Sequence, residues 1–289
     1  MFEVKSISIE DKNYPKLLKK IQNPPKILYF LGEIKSQENC FAIVGTRKCT
    51  NYGKEIAYQI SADLVEAGLT IVSGFAPGID TMAHLAAIEK GKRTIAVLGT
   101  GLDEKSIYPK SNLKLVKKIL ECGGALISEL PPGTRGTKYT FPQRNRIISG
   151  ISLGTLVIEA KLKSGALITA NYAFKQKRRV FAVPGPIFSQ TSKGCHFLIK
   201  NGAKLVEGAE DILEELGISK LGIRKKEIEG KTPEENLILE TLKEGAIDIE
   251  KIIEKTGLSP SKVASIISIL EIEGKIKNLG GNIYAISNR

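Results

Sequence analysis

Short apolar, β-branched runs recur along the middle of the chain, separated by stretches of helical periodicity. Phe41–Gly45, Thr70–Ser73, Arg93–Leu98, Ala125–Glu129, Thr155–Glu159 and Arg179–Val183 predict six strands. Their apolar runs are continuous rather than alternating, as strands covered on both faces require. The segments between them predict helices at Tyr52–Ala67, Ile79–Lys90, Asn112–Glu121, Pro142–Ser149 and Gly165–Lys177. In the first of these, Ile56, Ile60, Leu64 and Ala67 fall on one face. Ser192–Lys200, Lys204–Val206 and Ala209–Leu216 close the segment. Strands alternating with helices imply a mostly parallel sheet with crossover helices, here a doubly wound α/β domain over residues 40–217. Residues 1–39 are expected to be a short lead-in.

The pattern then changes. Residues 218–232 are charged and interrupted by glycine, as a linker would be. Within residues 233–289, Glu234–Lys243, Ile249–Thr256 and Ser259–Glu273 predict three helices, the last with Ser259 as N-cap and Pro260 at its first position. Lys275–Ile286 predicts a hairpin turning at Gly280-Gly281. Three helices and a hairpin make a winged helix-turn-helix module.

Charge narrows the function. The 289 residues carry a formal net charge of +12, which favours a polyanionic partner. From Lys231 to Arg289 there are 8 Lys and Arg against 9 Asp and Glu, so the remaining +13 belongs to the larger domain. The expected recognition helix has Lys262 against Glu271 and Glu273, whereas a major-groove reader carries a basic face. The module is therefore expected mainly to contact protein, or to stabilise the assembly, and to contribute little DNA affinity. Cys40, Cys49, Cys122 and Cys195 have no metal-ligand spacing and suggest free thiols in a reducing cytoplasm. No apolar run is long enough to span a membrane, and Met1–Glu10 lacks a signal-peptide core.

Doubly wound sheets bind ligands beyond the carboxyl ends of their strands. The first such end is Gly45-Thr46-Arg47, where a helix N-terminus and a guanidinium fork suit phosphate. An arginine on an ordinary turn is the plainer alternative. The dinucleotide and P-loop glycine fingerprints are absent. The second end, Ser73-Gly-Phe-Ala-Pro-Gly-Ile-Asp80, combines two glycines with a carboxylate that either caps the helix or meets a ligand. His84 is expected to pack. The third end, Gly99-Thr-Gly-Leu-Asp103, precedes Tyr108-Pro109-Lys110.

The fourth end is the most informative. Pro131–Arg146 sets Arg135, Lys138, Arg144 and Arg146 around Tyr139 and Phe141. Single-stranded nucleic acid calls for cations on its backbone and aromatic rings against its bases. A solvated loop with Phe141 buried would have the same composition. Lys161 and Lys163 add charge at the fifth end, where Glu159 is either structural or ligand-facing. Two distant histidines provide no catalytic or metal-binding spacing, so neither an enzyme nor a cofactor is expected.

In series, Ile43–Arg47, Ser73–Asp80 with Ala83-His84, Gly99–Asp103 with Tyr108-Pro109, Ser128-Glu129, Phe141–Gly150, Val157–Ala160 with Ser164-Gly165, and Val180–Gly185 resemble the DNA-processing protein A family (DprA, also called Smf). The resemblance runs from about Tyr14 to Gly217. It implies an extended Rossmann-like domain, usually dimeric, often with a C-terminal winged helix. It also implies sequence-independent binding of single-stranded DNA and loading of the RecA recombinase in natural transformation or recombination. By motif position, Arg47 and Lys138 would hold phosphate and Phe141 would stack a base. Lys110, Arg144 and Arg146 would assist, with Gly45, Thr46, Ser73, Gly74 and Asn145 completing the expected contacts. Many members have a longer N-terminal helical domain than the residues before Phe41 accommodate. The competing class is a nucleotide-processing Rossmann enzyme of the lysine decarboxylase-like type. Its Pro-Gly-Gly-x-Gly-Thr loop is matched only by Ser149–Thr155, which lacks the double glycine.

Overall fold

A computed structural model describes residues 3–218, 230–243 and 245–287, and these fall in two units, residues 1–223 and 224–289. Most of the expected linker, 218–232, lies outside the described residues. In chain order the first unit contains β1 (Lys5–Ser8), α1 (Lys16–Lys19), β2 (Ile27–Gly32), β3 (Cys40–Gly45), α2 (Asn51–Glu66), β4 (Thr70–Ser73), α3 (Ile79–Glu89) and β5 (Thr94–Val97). It continues with α4 (Leu113–Glu121), β6 (Ala125–Ser128), α5 (Thr140–Gly150), β7 (Gly154–Ile158), α6 (Gly165–Lys175), β8 (Arg179–Ala182), α7 (Lys193–Lys200), β9 (Lys204–Leu205) and α8 (Ala209–Glu215).

The sheet order is β1-β2-β6-β5-β4-β3-β7-β8-β9. From β6 to β9 every pairing is parallel. The chain winds outward from β3 through β4, β5 and β6, then crosses back to β7, β8 and β9. The topological switch therefore lies between β3 and β7, where a doubly wound sheet opens its ligand crevice.

Alternation along each strand divides the core into layers. Cys40, Ala42 and Val44 of β3 pack on one face with Ile147 and Ile148 of α5 and Ala170 of α6. Phe41 and Ile43 point the other way, toward Ile60 and Leu64 of α2 and Ala83 of α3. A third cluster joins Leu126 of β6 to Leu115, Val116 and Ile119 of α4. Continuous burial of β3 through β7 explains why their sequences hold no charged residue and only small hydroxyls such as Thr70, Ser73, Thr94, Ser128 and Thr155 among the apolar positions.

Residues 1–39 are more than a lead-in. They supply β1 and β2, and β2 pairs antiparallel with β6 from Tyr29↔Ser128 to Gly32↔Ala125. Tyr14, Leu18, Ile21 and Leu28 join the core beneath α5, and the Tyr14 hydroxyl donates to the Pro25 carbonyl at 2.8 Å. The reason is geometric. Without β2, the antiparallel edge of β6 would expose a row of unpaired backbone groups.

The second unit contains α9 (Pro233–Lys243), β10 (Ile247–Asp248), α10 (Ile249–Thr256), α11 (Pro260–Ile272), β11 (Ile276–Asn278) and β12 (Ile283–Ile286). Its sheet order is β10-β12-β11. Ile238, Leu242, Ile252, Val263, Ile267, Leu270 and Tyr284 form a separate core. Asp248 caps α10 by accepting from the Glu250 amide at 2.8 Å, and Gly257 ends that helix in the left-handed conformation. Among the described residues, no helix is long and apolar enough to cross a membrane.

Candidate nucleic-acid interface

The carboxyl ends of β3, β5, β6 and β7 surround one large cleft of about 1230 Å³. Each loop contributes a pair of cations: Arg47 and Lys48 after β3, Lys105 and Lys110 after β5, Arg135 and Lys138 after β6, and Lys161 and Lys163 after β7. Among the described residues, none of these eight forms an ion pair. The one carboxylate in the lining, Asp80, is buried. Unneutralised cations gathered in a concave site attract a polyanion.

Phe141 occupies the β5 side of this cleft at the start of α5, half-buried and seated between two glycines. A Cβ on Gly136 would lie 2.6 Å from its ring, and one on Gly99 would lie 2.9 Å away. The Arg47 guanidinium carbon stands 5.9 Å from the Phe141 ring centroid, a cation–π contact. The Tyr108 ring lies 5.9 Å away at 52°. Lys138 stands 5.1 Å from the exposed Tyr139 ring. Phe141 thus has a cation, Arg47, and a second ring, Tyr108, against it.

Five of the expected contacts are engaged by the protein itself, although Arg144 and Asn145 also line the cleft. The Ser73 hydroxyl is buried and donates to the Ile43 carbonyl at 2.5 Å. The Gly74 carbonyl accepts from His84 Nε2 at 2.7 Å, and a side chain on Gly74 would collide with Asp80 and Arg144. Arg144 is buried and donates to the Val97 carbonyl. Asn145 donates to the Gly165 carbonyl at 3.2 Å, joining α5 to α6. Arg146 pairs with Glu129 at 2.5 Å. A buried polar side chain needs a partner, and in this helix the protein gives one to each of the three, with Arg144 Nε the atom left over among the described residues. Lys110 lines the cleft while donating to the carbonyls of Glu104 (2.7 Å) and Lys105 (3.1 Å).

Electrostatics beneath the cleft follow from burial. Burial raises the Asp80 carboxyl to about 6, offset by the nearby Arg144 charge and the Ala76 amide. Burial lowers Arg144 to about 10, and lowers His84 to about 4. His84 is fully buried, with Nδ1 2.8 Å from the Thr94 hydroxyl. It packs as expected and holds β4 against β5.

Glu159 anchors the switch point. Its carbonyl accepts the Thr46 amide at 2.8 Å. Its carboxylate accepts from the Thr50 amide (2.8 Å), the Thr50 hydroxyl (2.6 Å) and the Thr191 hydroxyl (3.2 Å). Gly53 leaves room for this carboxylate, since a side chain there would overlap it. Thr50 is the N-cap of α2. In dinucleotide-binding sheets the corresponding helix start receives a pyrophosphate. Here the protein's own carboxylate occupies it, and the available cations lie outside that position. Thr50 followed by Gly53 in the first turn is the sequence signal for this arrangement. Lys48 and Lys105 had no signal beyond their charge.

Fold and cleft together define a Rossmann-like α/β protein with a cationic, aromatic-lined site at the carboxyl edge of its sheet. Comparison with known proteins makes this specific. The chain belongs to the DNA recombination-mediator protein A family, whose model matches residues 5–217, and residues 224–282 match the DprA winged helix domain. The DNA processing protein DprA of Bacillus subtilis is 45% identical over 215 residues, 74% of this chain and 71% of that protein. The solved structure of DprA from Streptococcus pneumoniae is 44% identical with a TM-score of 0.69, covering 74% of each chain. A structure of DNA processing protein A from Helicobacter pylori, described for its single-stranded DNA binding mode, is 30% identical with a TM-score of 0.66. It covers 74% of this chain and 96% of that one.

Proposed function

We propose that the cleft binds single-stranded DNA without sequence preference, and that the chain loads the RecA recombinase onto DNA in recombination and natural transformation. The observation that carries this reading is the set of eight cations, drawn from four loops and without an ion pair among the described residues, that line one cleft with Phe141. The single-stranded DNA binding attributed to the Helicobacter pylori relative supports it. Arg47 and Lys138 hold phosphates, Phe141 stacks a base, and Gly45, Thr46 and Lys110 shape the path. The protein acts as a cytoplasmic homodimer and has no catalytic role.

The winged helix contacts protein more than DNA. Lys262, the basic residue of α11, is already paired with Glu234 at 2.7 Å. A nucleotide-processing enzyme is the weaker reading, because Glu159 occupies the helix start that would hold a nucleotide phosphate.

A competition titration with poly-dT, duplex DNA and mononucleotides, with and without RecA, tests the proposal. Poly-dT should compete best, and its complex should accelerate RecA filament formation. Equal competition by mononucleotides, or release of free base from nucleoside monophosphates, would favour the enzyme instead.

A further inference from the structure

Beyond the cleft, the loop between β8 and α7 ends in two exposed apolar side chains, Ile187 (64% exposed) and Phe188 (88%). They form the tip of a turn closed by the Ser189 amide donating to the Pro186 carbonyl at 3.0 Å. The turn is firmly held. Thr191 bonds both the Ser189 hydroxyl (2.9 Å) and Glu159 (3.2 Å), and its carbonyl accepts the Ala160 amide at 2.6 Å. Tyr52 donates to the Pro184 carbonyl, and His196 to that of Gly185. An exposed phenylalanine on a pinned turn is poorly explained by folding, since it buries little there.

Two observations favour a nucleic-acid strand over a protein partner. Thr191 lines the cleft, so this loop forms the far end of the same wall. The neighbouring stretches 160–165 and 183–194 carry Lys161, Lys163 and Lys193, all exposed, and no carboxylate. Phe141 sits beside Gly99 at the end of β5, and four strand steps separate β5 from β8 in the sheet order. At the usual spacing of neighbouring strands these steps span about 19 Å along the carboxyl edge.

We propose that a single strand held at Phe141 continues across the β7 and β8 loops and stacks a second base on Phe188, with Lys161 and Lys163 on the intervening phosphates. This rests on the single-strand reading of the cleft. It adds a second aromatic platform, so that a long strand is gripped at two points.

The test uses the full chain with a fluorescent dT20. Phe188→Ala should bind about tenfold more weakly, in keeping with one lost base–aromatic stack, while the salt slope stays that of the wild type. The chain contains no tryptophan. Phe188→Trp therefore reports on this position alone, and its emission should be quenched as dT20 saturates the protein. Wild-type affinity in Phe188→Ala, or unquenched emission at saturation, would overturn the proposal. So would a fall in affinity accompanied by a shallower salt slope, which would mean a disturbed cleft. A change in sedimentation at unaltered affinity would instead assign the turn to a second copy of the chain. Failure of the wild type to bind dT20 would sink the reading of the cleft itself.

Discussion

Arg47 and Arg146 of the larger unit differ in whether their charge is neutralised, and salt dependence separates them. Arg47 is exposed in the cleft without an ion pair among the described residues, whereas Arg146 is buried against Glu129. On a single strand, each phosphate neutralised contributes about 0.7 to the slope of log K against log salt. If all eight cations of the cleft met phosphates, the slope would be about −5.6, or roughly a two-thousandfold loss between 50 and 200 mM salt. Arg47→Ala should make the slope shallower by about 0.7 and lower affinity about tenfold to a hundredfold, as loss of a charged hydrogen bond entails. Arg146→Gln should leave the slope alone and instead lower stability by about 3 kcal/mol, because it strands Glu129. Fluorescence anisotropy with dT20 at four salt concentrations, together with urea melts, measures both. An unchanged slope in Arg47→Ala, or an equal loss of slope in Arg146→Gln, would refute the division.

Other outcomes follow from particular contacts. Gly136→Ala should push the Phe141 ring off its seat, reducing single-strand affinity up to about tenfold with the salt slope and urea midpoint retained. His84, held near 4 when folded against 6.5 as its ordinary value, contributes stability above 6.5 that is lost as pH falls toward 4. Asp80, raised to about 6, acts in the opposite sense between 3.8 and 6. The stability advantage of wild type over His84→Gln should therefore shrink on acidification from pH 7 to 5, by up to about 1.4 kcal/mol per pH unit, as urea midpoints would show. Removing the winged helix by ending the chain before Thr232 should weaken binding of dT20 less than tenfold in the same anisotropy assay, under about 1.4 kcal/mol.

How much was legible depends on how local the interactions are. β3 to β8 are visible because buried parallel strands read as short apolar runs that no charged residue interrupts. β1 is not, since Lys5–Ser8 faces solvent at an edge and alternates weakly. β2 is an apolar run whose partner, β6, lies about a hundred residues away. Arg47 and Lys138 stand on loops and Phe141 in the first turn of α5, where, among the described residues, each side chain reaches the cleft without a partner from a distant strand. Arg144 and Arg146 have the same chemistry but lie one turn into α5, where their partners Val97 and Glu129 come from other strands. Charge is written in the sequence, while its neutralisation is a tertiary fact.

Helix α5 both presents Phe141 and fastens its own base into the core through Arg144, Asn145 and Arg146. The ring is therefore already in position before any strand arrives. On the proposed reading, loss of freedom on association falls almost wholly on the nucleic acid, which must unstack its bases to meet the ring. Discrimination passes from sequence to stiffness, and flexible thymidine runs should outcompete self-stacked adenosine runs on a surface that reads no base edge.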